Sequence, residues 1–310
     1  MEVIDDIIKG NKEKPNYIAL GSFDGLHLGH LSLLKKIVSL AKENNGLSMV
    51  FTYKNHPKTL VDPNNVPKLI MDIETKLDCL KEENIDIVVL KEFTKEFMKI
   101  PPEKFIDILC ENYNIKGIIV GFNFRFGHKN LGDIKLLESL QDKYGYKIYI
   151  INPYTYKDNV VSSSRIRNNI LIGDVKEASR MLSRPYSIKG KVIHGKKLGR
   201  TIGFPTANLE INLKYVIPKK GVYYTNVEYN KKIYKGITSV GNNPTVNGQE
   251  LTIETFILDF KKEIYGEEIK VFFIELIRDE IKFDSLEELI RAIKKDEKFA
   301  TNKEILVKIM

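Results

Sequence analysis

From residue 17 to about 152, short apolar runs alternate with longer stretches whose apolar positions recur at helical spacing. The runs YIAL (17–20), GLSMVFTY (46–53), IDIVVL (85–90), KGIIVG (116–121) and YKIYIIN (146–152) have the length and the branched and aromatic content of strands. Between them LGHLSLLKKIVSLAKEN, IETKLDCLKEEN, PPEKFIDILCENY and NLGDIKLLESLQDKYG read as helices. Ile134, Leu137 and Leu140 fall on one helical face, and the pair Pro101-Pro102 suits a helix start. Strand, helix, strand in succession predicts right-handed crossovers and a parallel sheet covered on both faces. Ligands of such sheets sit at the carboxyl ends of the strands.

After about residue 184 the rhythm changes. YSIKGKVIHG, GVYYTNVEYN, KKIYKGITSVG, LTIETFILDF and EIKVFFIELI follow one another as strands without intervening helices, and the turn-like pair Asn230-Lys231 joins two of them. This predicts an antiparallel barrel or sandwich. A closing helix is expected at DSLEELIRAIKKD, capped by Asp284 or Ser285, with Glu287 and Glu288 complementing its dipole. The expected domains are therefore 1–183 and 184–310, and no internal repeat is visible.

Composition agrees with two cores. The chain has 310 residues, 43% of them hydrophobic and 29% charged, which is more than one core usually accommodates. The start, MEVIDDIIKGNKEK, lacks a basic patch followed by an apolar run, so it does not read as a secretory signal. No apolar segment approaches the ~20 residues that span a bilayer. Cys79 and Cys110 each fall in a helix-like segment rather than a C-x-x-C pair, which points to reduced thiols in a cytoplasmic protein and away from zinc. Residues 184–310 carry 23 basic against 17 acidic side chains, so the second half suits a polyanion: nucleic acid, a membrane surface or a nucleoside triphosphate. A solvated lysine-rich surface explains most of those charges equally well.

Two of the five histidines stand three residues apart in GSFDGLHLGH (21–30), directly behind the first strand. Gly21, Gly25 and Gly29 let the backbone turn tightly and approach a ligand closely. A helix starting near Leu28 presents unbonded N–H groups and a partial positive charge to phosphate. His27 and His30 then lie on one side of its first turn, where both rings can donate to oxygens that gain charge in a transition state. A metal pair is the alternative, but Asp24 is the one further acid close by.

GSFDGLHLGH resembles the H-x-G-H signature of nucleotidyltransferases with a Rossmann-like fold. That resemblance implies transfer of AMP from ATP with release of pyrophosphate, and a second signature of the type S-S-T-x-I-R. The chain carries SSSRIR at 162–167, with Ser164 where threonine is commoner. Ser163, Ser164, Arg165 and Arg167, just before a helix, suit a second anion site that would hold the β and γ phosphates. KNHPKTL (54–60) and GFNFRFGHKNLGD (121–133) are similar to the bacterial flavin-enzyme branch of that superfamily. His56, Asn123, Arg125, Phe23 and Asp24 join the expected ATP- and FMN-binding set, with FRFG stacking on a flat ring and Arg125 meeting phosphate.

HGKKLGRTIGFPTANLEI (194–211) resembles the riboflavin kinase signature, a glycine-rich basic loop leading to P-T-A-N. Gly195, Gly199 and Gly203 allow close backbone approach, and Lys196, Lys197 and Arg200 supply charge for phosphate. After Pro205, Thr206 and Asn208 lie two apart and point the same way in an extended chain, as two neutral oxygen ligands suited to Mg²⁺. A strand-end hydrogen-bonded pair is the alternative. Glu254 shares a strand face with Thr252 and Phe256; it reads as a general base, or as a glutamate on the solvent face of a barrel. Phe256 departs from the family, where histidine is commoner. Arg278 is a candidate flavin or phosphate contact, or the partner of Asp279 or Glu280.

The motifs occur in the order of the bacterial bifunctional riboflavin kinase/FMN adenylyltransferase (FAD synthetase) family and cover nearly the whole chain. The resemblance implies an α/β, Rossmann-like nucleotidyltransferase domain with a parallel sheet, followed by an antiparallel β-barrel riboflavin kinase domain with a C-terminal helix. It implies riboflavin, FMN, FAD, ATP, ADP and pyrophosphate as partners and Mg²⁺ as cofactor, in a monomer or weak homo-oligomer that binds neither nucleic acid nor membrane. Retention of a single activity is the alternative within enzymes. A basic nucleic-acid-binding module is the alternative of another class; it predicts exposed aromatics interleaved with basic residues on one strand face.

Overall fold

The structure, a computed structural model, describes residues 1–7, 10, 12–195, 198–245 and 248–307. Two compact units divide it, Met1–Ser163 and Ser164–Met310.

The first unit contains β1 (Glu2–Asp5), β2 (Asn16–Leu20), α1 (Leu28–Glu43), β3 (Leu47–Tyr53), α2 (Lys58–Val61), α3 (Ile73–Glu82), β4 (Ile87–Lys91) and α4 (Lys95–Met98). It continues through α5 (Pro102–Asn112), β5 (Ile115–Gly121), α6 (Ile134–Ser139), α7 (Gln141–Tyr144), β6 (Lys147–Ile151) and the hairpin β7 (Thr155–Tyr156) with β8 (Asn159–Val160). Six strands form one parallel sheet in the order β1-β4-β3-β2-β5-β6. Alternate residues of β2 serve opposite faces. Ile18 and Leu20 pack with Phe51, Phe105 and Val120, while Ala19 packs with Leu34, Ile37 and Ile119 beneath α1. Burial on both faces is why these strands read as continuous apolar runs.

Two details differ from the sequence reading. NLGDIKLLESLQDKYG, expected as one helix, flattens at Leu140 (φ −91°, ψ −6°) and so appears as α6 and α7; Gly145 then stops the chain in the left-handed region at φ 69°. The acidic start forms an edge strand, Glu2 to Asp5 lying opposite Ile87 to Leu90.

The strand order also locates a crevice. From β2 the chain proceeds through β3 to β4 on one side, and through β5 to β6 on the other. The carboxyl ends of β2 and β5 therefore flank the point where the order reverses, which is where open α/β sheets bind ligands.

The second unit holds α8 (Ser163–Leu171), which starts at the division, then α9 (Val175–Leu182), β9 (Tyr186–Ile193), α10 (Leu198–Thr201) and β10 (Thr206–Leu209). There follow β11 (Gly221–Tyr229), β12 (Lys232–Thr245), β13 (Gly248–Ile257), β14 (Glu268–Asp279) and α11 (Leu286–Thr301). Six antiparallel strands close into a barrel in the order β10-β13-β12-β11-β14-β9, which leaves no free sheet edge. Strand rhythm places the domain boundary at 183/184; the compact units part after Ser163, at the first residue of α8, and α9 packs against β9 and β14. Asn230 and Lys231 both take positive φ (47° and 56°), the backbone a tight hairpin turn requires. Inside the barrel Thr225, Thr238 and Thr255 are fully buried and joined by two hydroxyl hydrogen bonds of 2.9 Å, a ladder across β11, β12 and β13. Ser285 caps α11 by accepting from the Glu288 amide.

Candidate functional sites

In the first unit, Gly21 to His30 connects β2 to α1 beside the crevice. His27 is the N-cap of α1, and its Nδ1 accepts from the His30 amide at 3.3 Å. With Nδ1 accepting, Nε2 is left as the ring nitrogen that can donate. The His27 and His30 rings stack at 3.7 Å between centroids, and Phe23 meets His30 edge-on at 5.2 Å. Gly29 packs tightly beneath this stack: a Cβ there would lie 3.2 Å from His27 Cε1 and Nδ1. The turn before the helix is strained, with Phe23, Gly25 and Leu26 at φ 48°, 87° and 41°. Several bonds hold it. The Asp24 carboxylate, 4% exposed, accepts from the Ile70 amide at 3.0 Å. Ser163 Oγ donates to the Asp24 carbonyl at 2.9 Å.

Neighbouring strand ends carry other expected residues. His56 follows β3, its Nδ1 accepting from the Lys58 amide at 3.1 Å. Asn123 and Arg125 follow β5 and are exposed. Arg125 pairs with Asp133 at 3.2 Å, while Phe124 stacks on the buried Phe126, which packs on Phe105. Phe126 is therefore part of the core. Ser164, Arg165 and Arg167 lie in the first turns of α8, in the second unit.

In the barrel, Asn208 on β10 lies directly opposite Glu254 on β13, which lies opposite Ser239 on β12. Ile253, Thr255 and Ile257 point into the core, so Glu254 and Phe256 face outward, half-buried. Thr206 Oγ1 donates to Glu254 Oε2 at 3.3 Å. The loop after β9 presses on this row: a Cβ at Gly195 would fall 2.4 Å from Asn208 Nδ2. Gly199 instead folds the loop back on itself, its carbonyl accepting from the Phe204 amide at 2.8 Å. Beside Thr206 an open cleft is lined by Pro205, Arg200, Ile257 and Tyr265. Arg200 bridges to Glu263 at 2.7 Å across an exposed surface. Phe256 packs edge-on against Phe204 at 5.4 Å. Gly203 takes φ 89°. Lys196 and Lys197 lie outside the described residues.

Family models cover both units. FAD synthetase matches residues 9–165 and riboflavin kinase matches 182–303. A bifunctional riboflavin kinase/FMN adenylyltransferase of Listeria monocytogenes is 36% identical over 282 residues, 90% of each chain. The Bacillus subtilis protein of the same name is 36% identical over 95% of this chain and 94% of its own. The chain belongs to the bifunctional riboflavin kinase/FMN adenylyltransferase family. A crystal structure described as a macrolide-efflux protein of Streptococcus pneumoniae shares the fold, with a TM-score of 0.89 and 32% identity over 98% of this chain and all of that one. Efflux is said of that protein; among the described residues here, no helix is long and apolar enough to cross a membrane.

Two residues stand differently from their sequence reading in this bifunctional kinase/adenylyltransferase frame. Arg278 forms a two-pronged pair with Asp296 of α11, at 2.9 and 3.1 Å to Oδ2, rather than with Asp279 or Glu280 side chains. Lys76 was missed. It lies on α3 with 7% exposure and donates to the Ser22 carbonyl in the strained turn. Its signal was its place on the helix face of Cys79 and Leu80, at spacings of three and four.

No group of three or more His, Cys, Asp or Glu side chains gathers into a metal cluster among the described residues. A divalent ion such as Mg²⁺ needs few protein oxygens and takes the rest from substrate and water. The barrel row fits that need. It offers a hydroxyl, an amide and a carboxylate together, in a cradle that a Cβ at Gly195 would fill.

Proposed function

We propose that the chain makes FAD from riboflavin in two ATP-dependent steps, one in each unit. In the barrel, Glu254 takes the proton of the riboflavin 5′-hydroxyl as that oxygen attacks the γ phosphorus of ATP; ADP leaves and FMN forms. Thr206, donating to the Glu254 carboxylate, orients its basic oxygen. Thr206 and Asn208 would hold Mg²⁺, which when bound neutralises phosphate charge. Gly195 brings loop backbone close to that row, and Arg200 exchanges Glu263 for phosphate.

In the first unit the FMN phosphate attacks the α phosphorus of a second ATP, and pyrophosphate leaves. No proton needs removing from an ionised phosphate, so this site calls for charge stabilisation rather than a base. His27 and His30 donate to the oxygens that gain charge, and the amino end of α1 adds its N–H groups. Ser163, held to the Asp24 carbonyl, contributes its hydroxyl to the departing phosphates. His56, Asn123 and Arg125 stand at strand ends suited to FMN.

The observation that carries the reading is the row Asn208–Glu254 with Thr206 hydrogen-bonded to the carboxylate, since it joins a base to metal-suited oxygens. The test is chromatography of riboflavin, ATP and Mg²⁺ incubated with wild type and Glu254→Gln. Wild type makes FMN and then FAD. The variant stalls at riboflavin, its kinase rate down about 10²–10⁴-fold, yet converts added FMN to FAD. Wild type that turns over neither flavin refutes the reading.

A further inference from the structure

The Lys76 ammonium donates to the Ser22 carbonyl at 3.0 Å, to Thr52 Oγ1 at 3.4 Å and to the Tyr53 carbonyl at 3.5 Å. Three acceptors match the three donors of an ammonium, and all three are neutral. Thr52 in turn donates to the same Ser22 carbonyl at 2.9 Å. A charge in such a place is costly to bury, and an apolar side chain of equal length would fill the space more cheaply. Burial pushes the Lys76 pKa down to about 8, and the Asp24 carboxylate opposes that shift. Tyr53 contributes no charge, because burial raises its phenol well above the usual range. A buried cation that stays ionised at neutral pH thus grips one carbonyl of a turn whose residues 23, 25 and 26 all have positive φ.

We infer that Lys76 is a positioning residue for adenylyl transfer: its ammonium fixes the Ser22 carbonyl, and with it the strained turn that delivers His27 and His30. The inference rests on the adenylyltransferase reading of the first unit. It makes the protonated form the active one. Adenylyl transfer then weakens as pH rises through the Lys76 titration, while the kinase step in the barrel does not follow it.

The full-length protein allows both steps to be measured on one preparation. FMN-to-FAD and riboflavin-to-FMN rates are followed from about pH 6.5 to 9.5 for wild type, Lys76→Met and Lys76→Arg. Wild-type FAD formation should fall with a midpoint near pH 8, the value burial sets for Lys76. Lys76→Met should lower kcat for FAD formation about ten-fold or more at neutral pH, lose that basic limb, and keep the kinase rate. Lys76→Arg, charged throughout, should keep activity at the basic end. If far-UV circular dichroism shows Lys76→Met to be unfolded, the other two profiles decide. A basic limb that persists unchanged in Lys76→Arg overturns the inference. So does a folded Lys76→Met with wild-type rate and profile. Wild type that makes no FAD overturns the adenylyltransferase reading, and this inference with it.

Discussion

Arg278 and Asp296 give the sharpest test of how the barrel is closed off by its last helix. The Asp296 side chain is 4% exposed and that of Arg278 20% exposed, so the two ends of the pair are not equivalent. Arg278→Met leaves a buried carboxylate without its partner, a loss of about 3–5 kcal/mol. Asp296→Asn leaves a guanidinium that reaches solvent, keeps a 3.4 Å bond to the Asp279 carbonyl and sits 5.6 Å from the Phe283 ring centroid. That change should cost about 1–2 kcal/mol. Replacing both, Arg278→Met with Asp296→Leu, should recover most of the deficit, because no charge is left stranded. The chain has no tryptophan, so urea unfolding is read by far-UV circular dichroism and by kinase activity surviving in urea. With a slope of about 2 kcal/mol per molar, Arg278→Met should lower the barrel's midpoint by roughly 2 M and Asp296→Asn by less than about 1 M. If Arg278→Met leaves the midpoint unchanged and raises KM for flavin, Arg278 is a ligand contact and the structural reasoning is wrong.

Gly29→Ala should lower the FMN-to-FAD rate about ten-fold with the kinase rate intact, since its Cβ meets the His27 ring at 3.2 Å; steady-state assays of both steps check it. Gly195→Ala, whose Cβ falls 2.4 Å from Asn208 Nδ2, should raise the kinase KM for MgATP several-fold and leave FAD formation unchanged. Stability should carry a pH signature opposite to activity. The folded pKa of Lys76, about 8, lies below its ordinary 10.5, so the unfolded chain binds the extra proton between those values and stability rises with pH there. Wild type should gain about 2 kcal/mol relative to Lys76→Met between about pH 7.5 and 9.5, measured by urea unfolding of the first unit.

Much of this was legible because periodicity reports burial. Runs such as YIAL and KGIIVG read as strands of a covered parallel sheet because both their faces are filled, as the full burial of β2 shows. The barrel strands were legible through alternation, Ile253, Thr255 and Ile257 inward against Glu254 and Phe256 outward. Elements formed by partners rather than by their own pattern were not. EVID forms β1 only because β4 offers it an edge. Lys76 was hidden because a lysine on an amphipathic helix ordinarily faces water, and nothing local marks the three oxygens brought to it from two strands away in sequence. The pairing of Arg278 with Asp296 was hidden for the same reason: that partner lies on a helix whose docking the sequence does not encode locally.

The ladder Thr225–Thr238–Thr255 has a consequence outside the barrel interior. Thr255 is the chain neighbour of Glu254, and side chains on a strand alternate between faces. A one-residue slip of β13 would carry the carboxylate into the core and turn a threonine outward. The three hydroxyls, joined one to the next, therefore act as an indexing pin for β13. Valine at all three positions would still pack and still close the barrel, but its shape alone would have to distinguish the correct alignment from its neighbours. Faithful placement of the Glu254 carboxylate thus depends on residues buried in the barrel interior.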